Sequence, residues 1–282
     1  MVDRLPRGEI TAKELALADI KLVVADMDGT LLNEAGLVPD RFWPLLAELT
    51  KRGIAFVPAS GRQYYTLLDL FDRHPGMLSY VAENGSMVMH DGALLSSSNV
   101  DPALVRTVVE TVRTTSEDRL RLIVHRVDGA FIESEDADFL AHARQYCVRL
   151  DAVEDQLAIP GDVVKLAIYD FADAEHAASS IFGPLVGEHQ LAVSGQHWID
   201  ITAPGTHKAQ GVQALQRLLG VGPENTMVFG DYLNDLEMLD AADFFFAMAN
   251  AHAAVAERAR FRAPSNADEG VLTILRRLLA SR

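Results

Sequence analysis

A chain of 282 residues, 49% hydrophobic and 23% charged, can bury a sizeable core as one large domain or two moderate ones. A net charge of −15 without a dense lysine or arginine stripe argues against a nucleic-acid partner, whose affinity comes chiefly from neutralising phosphates. No run of about 18 apolar residues is present, so no membrane-spanning helix is expected.

The mixed-charge N-terminus does not read as a signal peptide. The single cysteine, Cys147, has no partner for an internal disulfide and reads as a small core residue of an amphipathic helix. Cytoplasm is the expected compartment. With so acidic a chain, an anionic ligand has to be captured locally, by a metal ion, a lysine or helix N-termini.

In chain order, residues 1–20 form a leader in which Thr11 and Glu14 have capping-box spacing, predicting a short helix ending near Ala18. Apolar runs then alternate with amphipathic stretches, the pattern of βα units around a parallel sheet. Phe42, Leu45, Leu46 and Leu49 share one helical face, with Asp40 as the expected cap and Gly53 as the stop.

Five apolar runs end in polar or small residues. Leu22–Ala25 runs into Asp26, 54–59 into Ser60-Gly61-Arg62, and Tyr80–Ala82 into Glu83-Asn84-Gly85. Later, 227–229 runs into Gly230-Asp231, and Phe244–Met248 into Ala249-Asn250. Ligands of open α/β sheets bind beyond the carboxyl ends of the strands, so these five ends describe one pocket. Pro58 predicts a local irregularity in the second strand, because proline removes a ladder donor.

Between 86 and 199 the texture changes. Turn dipeptides at Asp91-Gly92, Asp128-Gly129 and Ser194-Gly195 signal hairpins. Helical faces occur around Val105 to Val112 and Phe139 to Cys147, and strand-like runs at 120–124, 163–169 and 197–201. The expected fold is α/β: a Rossmann-like parallel-sheet core over 1–85 and 200–282, with an α/β cap inserted over 86–199.

Asp26 and Asp28 are two carboxylates one residue apart at a buried strand end, costly unless a cation or shared proton relieves them. Asp-Gly is also a common turn dipeptide. A calcium loop of EF-hand type is excluded by spacing, since Gly29 is fourth and Leu37 twelfth. Ser60-Gly61 offers a hydroxyl and exposed amides to an anion, or a plain turn. Lys208 lies in the first turn of a helix that Thr206 can cap, where it either reaches an anion or points to water. Asp231 ends its strand, with Asn234 and Asp235 following; Asp235 also suits helix capping. Glu83-Asn84-Gly85 and Asn250 are compatible with turn chemistry.

Taken in order, Asp26-x-Asp28-Gly29-Thr30, then Ser60-Gly61-Arg62, Lys208 and Gly230-Asp231-x-x-Asn234-Asp235, the chain resembles the haloacid dehalogenase superfamily of phosphohydrolases. The large insertion between the serine and lysine motifs resembles the subgroup with a C2-type (IIB) cap, the Cof-like phosphatases. Ser60-Gly61-Arg62-Gln63-Tyr64 and Ala82-Glu83-Asn84-Gly85 look most like its bacterial enzymes acting on sugar phosphates or flavin mononucleotide. The resemblance covers residues 20–282, including Met248-Ala249-Asn250-Ala251, where alanine replaces the usual glycine, and Asp268-Glu269-Gly270-Val271.

That resemblance implies Asp26 as the nucleophile that forms an aspartyl-phosphate, and Asp28 as general acid, then base. It implies Mg²⁺ held by Asp26, the Asp28 carbonyl and Asp231, with Asp235 in support. Met27, Ser60, Gly61, Lys208 and Asn234 are implied to hold the phosphoryl oxygens. A small phosphorylated metabolite is the expected partner; the oligomeric state is not legible. A sugar-phosphate phosphomutase and a non-catalytic metabolite-binding protein are the alternative readings. Tyr169, His197 and Trp198 are candidates to face the pocket, although cap packing accounts for such residues more often.

Overall fold

The computed structural model describes residues 8–74, 76, 78–115, 119–134, 136–194 and 196–281. Its strands are β1 (Leu22–Ala25), β2 (Ala55–Pro58), β3 (Tyr80–Ala82), β4 (Met87–His90), β5 (Ala93–Ser97), β6 (Leu120–Arg126) and β7 (Ala130–Ile132). They continue as β8 (Leu150–Ala152), β9 (Val163–Asp170), β10 (Gln190–Val193), β11 (Trp198–Thr202), β12 (Thr226–Gly230), β13 (Phe244–Met248) and β14 (Phe261–Ala263).

β14, β13, β12, β1 and β2 form, in that order, a wholly parallel five-stranded sheet. All four residues of β1 are buried, as expected of a strand covered on both faces. Side chains alternate across the sheet. Val23, Ala25 and Phe229 therefore pack with helices Phe42–Lys51 and Gly270–Ala280, while Leu22, Val24 and Val228 pack with helix Lys208–Leu219.

β10, β11, β9, β6, β7 and β8 form a second sheet, antiparallel except for β7 beside β8. On one of its faces Leu122, Leu166, Ile168 and Ile199 pack against Val105, Val108 and Val109 of helix Pro102–Thr114 and against Phe182. The same alternation turns Ile123 and His125 of β6, Lys165, Ala167 and Tyr169 of β9, and Trp198 and Asp200 of β11 to the opposite face. That face is turned to the ends of the parallel strands, and all seven line one cavity with Asp26.

A third, antiparallel sheet of β3, β4 and β5 packs on the parallel unit through Val81 and Val88 against Val212. β11 runs to Thr202 within the second sheet.

Several local expectations need correction. Pro58 causes no irregularity: it stays in register with Ala25. Ala55 and Ala59 donate to Lys21 and Ala25, so alternation turns the proline nitrogen away from β1, where no ladder bond is lost. Asp40 does not cap helix Phe42–Lys51; the N-cap is Arg41, and Asp40 pairs instead with Arg73 at 2.5 Å. His207, not Thr206, caps helix Lys208–Leu219, accepting from the Gln210 N–H. The leader helix forms over Ala12–Leu17 with its Thr11–Glu14 box intact. The hairpin signal at Ser194-Gly195 falls partly outside the described residues. No helix among the described residues is long and apolar enough to cross a membrane.

Candidate active site

Asp26 follows β1 directly, and the backbone then turns at Gly29, whose φ is +78°. A Cβ there would lie 2.3 Å from Asp231 Oδ2, so glycine is required twice over, for the left-handed turn and for the close approach. β12, paired beside β1, ends at Gly230 and presents Asp231 at the same level. Parallel pairing thus brings together two carboxylates 205 positions apart in sequence (231 minus 26).

Lys208 Nζ donates to Asp26 Oδ1 at 2.5 Å and to Asp235 Oδ1 at 2.7 Å. Thr30 Oγ1 donates to Asp231 Oδ1 at 2.6 Å, and Asp235 Oδ2 accepts from the Asp231 and Tyr232 amides at 2.8 and 3.1 Å. One carboxylate oxygen from each of Asp26, Asp231 and Asp235 lies within 4.8 Å of the others.

Three buried carboxylates around one ammonium leave a deficit of positive charge. Burial, then the neighbouring Asp235 and Asp231, push the Asp26 carboxyl well above the usual range despite Lys208. Burial and Asp235 push Asp231 up to about 6. Lys208 is held above its ordinary value: burial opposes its charge, but Asp235 and Asp26 outweigh that. An all-oxygen set of this kind suits a hard divalent cation, which would make the clustered carboxylates favourable.

Asp28 sits at the rim with its side chain half exposed. Arg62 grips it bidentately, Nε to Oδ2 at 2.8 Å and Nη2 to Oδ1 at 2.6 Å. The same guanidinium donates through Nη1 to the Gln145 carbonyl at 2.7 Å and lies over the Tyr146 ring. Ser60 is buried, its Oγ accepting the Arg62 N–H at 3.1 Å. Gly61 allows the Asn84 amide to approach, which a Cβ would meet at 3.0 Å. Asn84 Oδ1 accepts from Asn234 Nδ2 at 3.1 Å. Met27 is buried behind Asp26, in the first turn after β1.

The carboxyl ends of β1, β2 and β12 thus face one cavity of about 540 Å³, with Asp26, Asp28, Ser60, Gly61, Asp231 and Asn234 on one side. Tyr146, Tyr169, His142, His197 and Trp198 line the other. Tyr169 lies at the middle of this wall, with ring centroids 5.2 Å from His142, 5.4 Å from His197 and 4.9 Å from Trp198. Tyr169, His197 and Trp198 therefore pack on one another and face the pocket as well.

Sequence reasoning missed a second charged cluster. Glu83, at the end of β3, is fully buried between Lys165 Nζ at 2.7 Å and His125 Nδ1 at 3.0 Å. Asn84 donates to Asp200 Oδ2 at 2.6 Å. Glu83 and Asn84 have φ of 51° and 55°, an uncommon left-handed pair for residues with side chains. Burial would raise the Glu83 carboxyl, but His125 and Lys165 hold it down at about 2. The available signal was Lys165 itself, a lone lysine inside the apolar run of β9.

Residues 23–275 match the haloacid dehalogenase-like hydrolase family. The chain is 34% identical over 263 residues to the 5-amino-6-(5-phospho-D-ribitylamino)uracil phosphatase YbjI of Escherichia coli K12, covering 92% of this chain and 96% of that protein. It is 26% identical to an HMP-PP phosphatase of Yersinia pseudotuberculosis, covering 82% and 84%. Among solved structures, SMU.1108c of Streptococcus mutans superposes with a TM-score of 0.83 at 26% identity, over 93% of this chain and 99% of that one. The subclass IIB sugar phosphatase BT4131 shares the fold, with a TM-score of 0.78 at 20% identity, over 91% and 98%.

Proposed function

The chain belongs to the haloacid dehalogenase-like hydrolase family, and from that membership we propose that it is a Mg²⁺-dependent phosphatase of small phosphorylated metabolites. The observation that carries the reading is the buried Asp26–Lys208–Asp235–Asp231 cluster, opening on the same cavity as Asp28 and Ser60. Phosphate monoesters are among the slowest biological substrates to react unaided, so charge neutralisation and in-line positioning have to supply most of the acceleration.

In this reading an Asp26 carboxylate oxygen attacks phosphorus and the ester P–O bond breaks. The Asp28 carboxyl gives its proton to the departing alcohol. Water then attacks the aspartyl-phosphate, Asp28 takes up the water's proton, and Asp26 is regenerated as phosphate leaves. The bidentate bond from Arg62 fixes the orientation of the Asp28 carboxyl at the cavity rim. Lys208, Asn234, the Ser60 hydroxyl and the amides of Met27 and Gly61 hold the phosphoryl oxygens. Asp26, Asp231 and the Asp28 carbonyl would hold Mg²⁺, with Asp235 orienting Asp231 and Lys208. When bound, the ion supplies charge neutralisation at the transferring phosphoryl group.

The aromatic wall favours, among sugar phosphates and flavin-like esters, one whose leaving group carries a planar ring, since flat π-faces stack well on Tyr146 and Trp198, which Tyr169 backs. The name of the Escherichia coli relative, a ribityl phosphate bearing uracil, supports that choice. We assign the parallel unit to catalysis and the six-stranded unit to the cap. The packing of β4 in the core of the parallel unit, and the run of β11 to Thr202 in the six-stranded sheet, support junctions near Ser98 and Ala203. Cytoplasm is the proposed compartment.

The test is release of phosphate from p-nitrophenyl phosphate with and without Mg²⁺, by wild type and by Asp26→Asn. Activity that requires Mg²⁺ and falls at least about 10³-fold in the variant, which keeps its fold, is the expected result. Near-wild-type activity in Asp26→Asn would end the nucleophile assignment.

A further inference from the structure

We propose that Lys165, contributed by β9 of the cap sheet, is a positioning residue that sets the Ser60 hydroxyl for phosphoryl binding; this rests on the reading of Ser60 given above. Lys165 Nζ donates to the Gly61 carbonyl at 2.7 Å. The described peptide bonds are all trans, so the Gly61 carbonyl and the Arg62 N–H, which share one planar unit, point in opposite directions. That N–H donates to Ser60 Oγ at 3.1 Å. The peptide plane is therefore held at both ends, by the lysine on one side and the serine on the other.

The consequence concerns a proton. A serine hydroxyl has one O–H to donate and lone pairs to accept with. With a lone pair of Oγ committed to the Arg62 N–H, the O–H is left to donate, and Ser60 lines the cavity beside Asp26. Rotation of the 61–62 peptide would remove that constraint and leave the hydroxyl free to turn elsewhere.

The rest of the environment resists such rotation. Ser60 N–H bonds the Val81 carbonyl at 2.9 Å, Glu83 N–H the Arg62 carbonyl at 3.1 Å, and Asn84 N–H the Ser60 carbonyl at 3.0 Å. The Ser60–Arg62 loop is thus tied to the Glu83–Asn84 turn, and Lys165 grips both through Gly61 and Glu83. His125 of β6 and Asp200 of β11 bind the same turn. Three cap strands converge on it, so cap position is transmitted to the loop, and Lys165 is the one of the three side chains that bonds the loop itself.

A double-mutant cycle on p-nitrophenyl phosphate hydrolysis at saturating Mg²⁺ tests this, using wild type, Lys165→Met, Ser60→Ala and the pair. Lys165→Met is expected to lower kcat on the order of tenfold, a part of what loss of a whole transition-state donor costs, with KM within about twofold. In the Ser60→Ala background the same change is expected to cost less than about twofold. A second full loss there would overturn the proposal, as would wild-type kcat in Lys165→Met.

Removing the ammonium also leaves Glu83 buried beside His125 alone, so the cycle is repeated in Glu83→Gln, which relieves that charge. If Lys165→Met/Glu83→Gln regains the kcat of Glu83→Gln, the lysine serves only to neutralise the glutamate and the proposal fails. A wild-type protein that releases no phosphate would instead overturn the phosphatase reading, and this one with it.

Discussion

Arg62 and Asp28 face each other in a two-bond fork, 2.8 and 2.6 Å, and the third arm of the guanidinium ends on the carbonyl of Gln145. A rim carboxylate beside the parallel sheet is thereby tied to a residue of the unit across the cavity. Only a planar guanidinium with several donors can make both connections at once.

Arg62→Lys keeps the charge and loses the fork. The expected outcome is a fall in kcat of roughly 10- to 100-fold, in the range contributed by a well-placed acid or base, with the melting temperature little changed. Steady-state kinetics with p-nitrophenyl phosphate, and with a ring-bearing phosphate ester, measure it. Unchanged kcat would show that the orientation of Asp28 does not depend on Arg62.

Glu83 predicts an acid-side signature. Its folded carboxyl sits at about 2 against an ordinary 4.5; burial pushes it up, and His125 and Lys165 push it further down. A depressed folded value adds stability that is complete above the ordinary value and is lost as pH falls toward about 2. Urea melts of wild type and Glu83→Gln between pH 2 and 7 should therefore converge as pH drops through that window, with wild type the more stable at neutral pH. Parallel curves throughout would contradict the pairing.

Mg²⁺ should raise the melting temperature of the wild type, because an ion bound only by the folded state stabilises it by mass action, about 2.7 kcal/mol at a hundredfold excess over Kd. Asp231→Asn removes a proposed ligand atom and relieves repulsion with Asp26 and Asp235. The variant is expected to be at least as stable as wild type without the ion and to lose most of the Mg²⁺-induced shift. A full shift in Asp231→Asn would remove that residue from the ion's coordination.

The parallel sheet was legible because a buried strand of four residues, such as Leu22–Ala25, has to be apolar on both faces and then change character abruptly at Asp26. Asp231 was legible for the same reason at the end of β12. Lys208 could be placed at a helix start, but nothing local told whether it pointed to water or to Asp26. Texture does not report packing: β4 and β5 look like the start of a new unit, yet Val88 packs in the same core as Val212.

What the sequence determined by itself were the chemical groups and the strand ends that carry them, since periodicity and turn residues act over a few positions of chain. What only the tertiary structure decided were the meetings between distant segments: Arg62 with Asp28, and Lys165 with Glu83 and Gly61. Alternation along β9 says that Lys165 shares a face with Ala167 and Tyr169. It does not say that this face lies over the end of β2, because docking two sheets depends on the summed burial and hydrogen bonding of both surfaces.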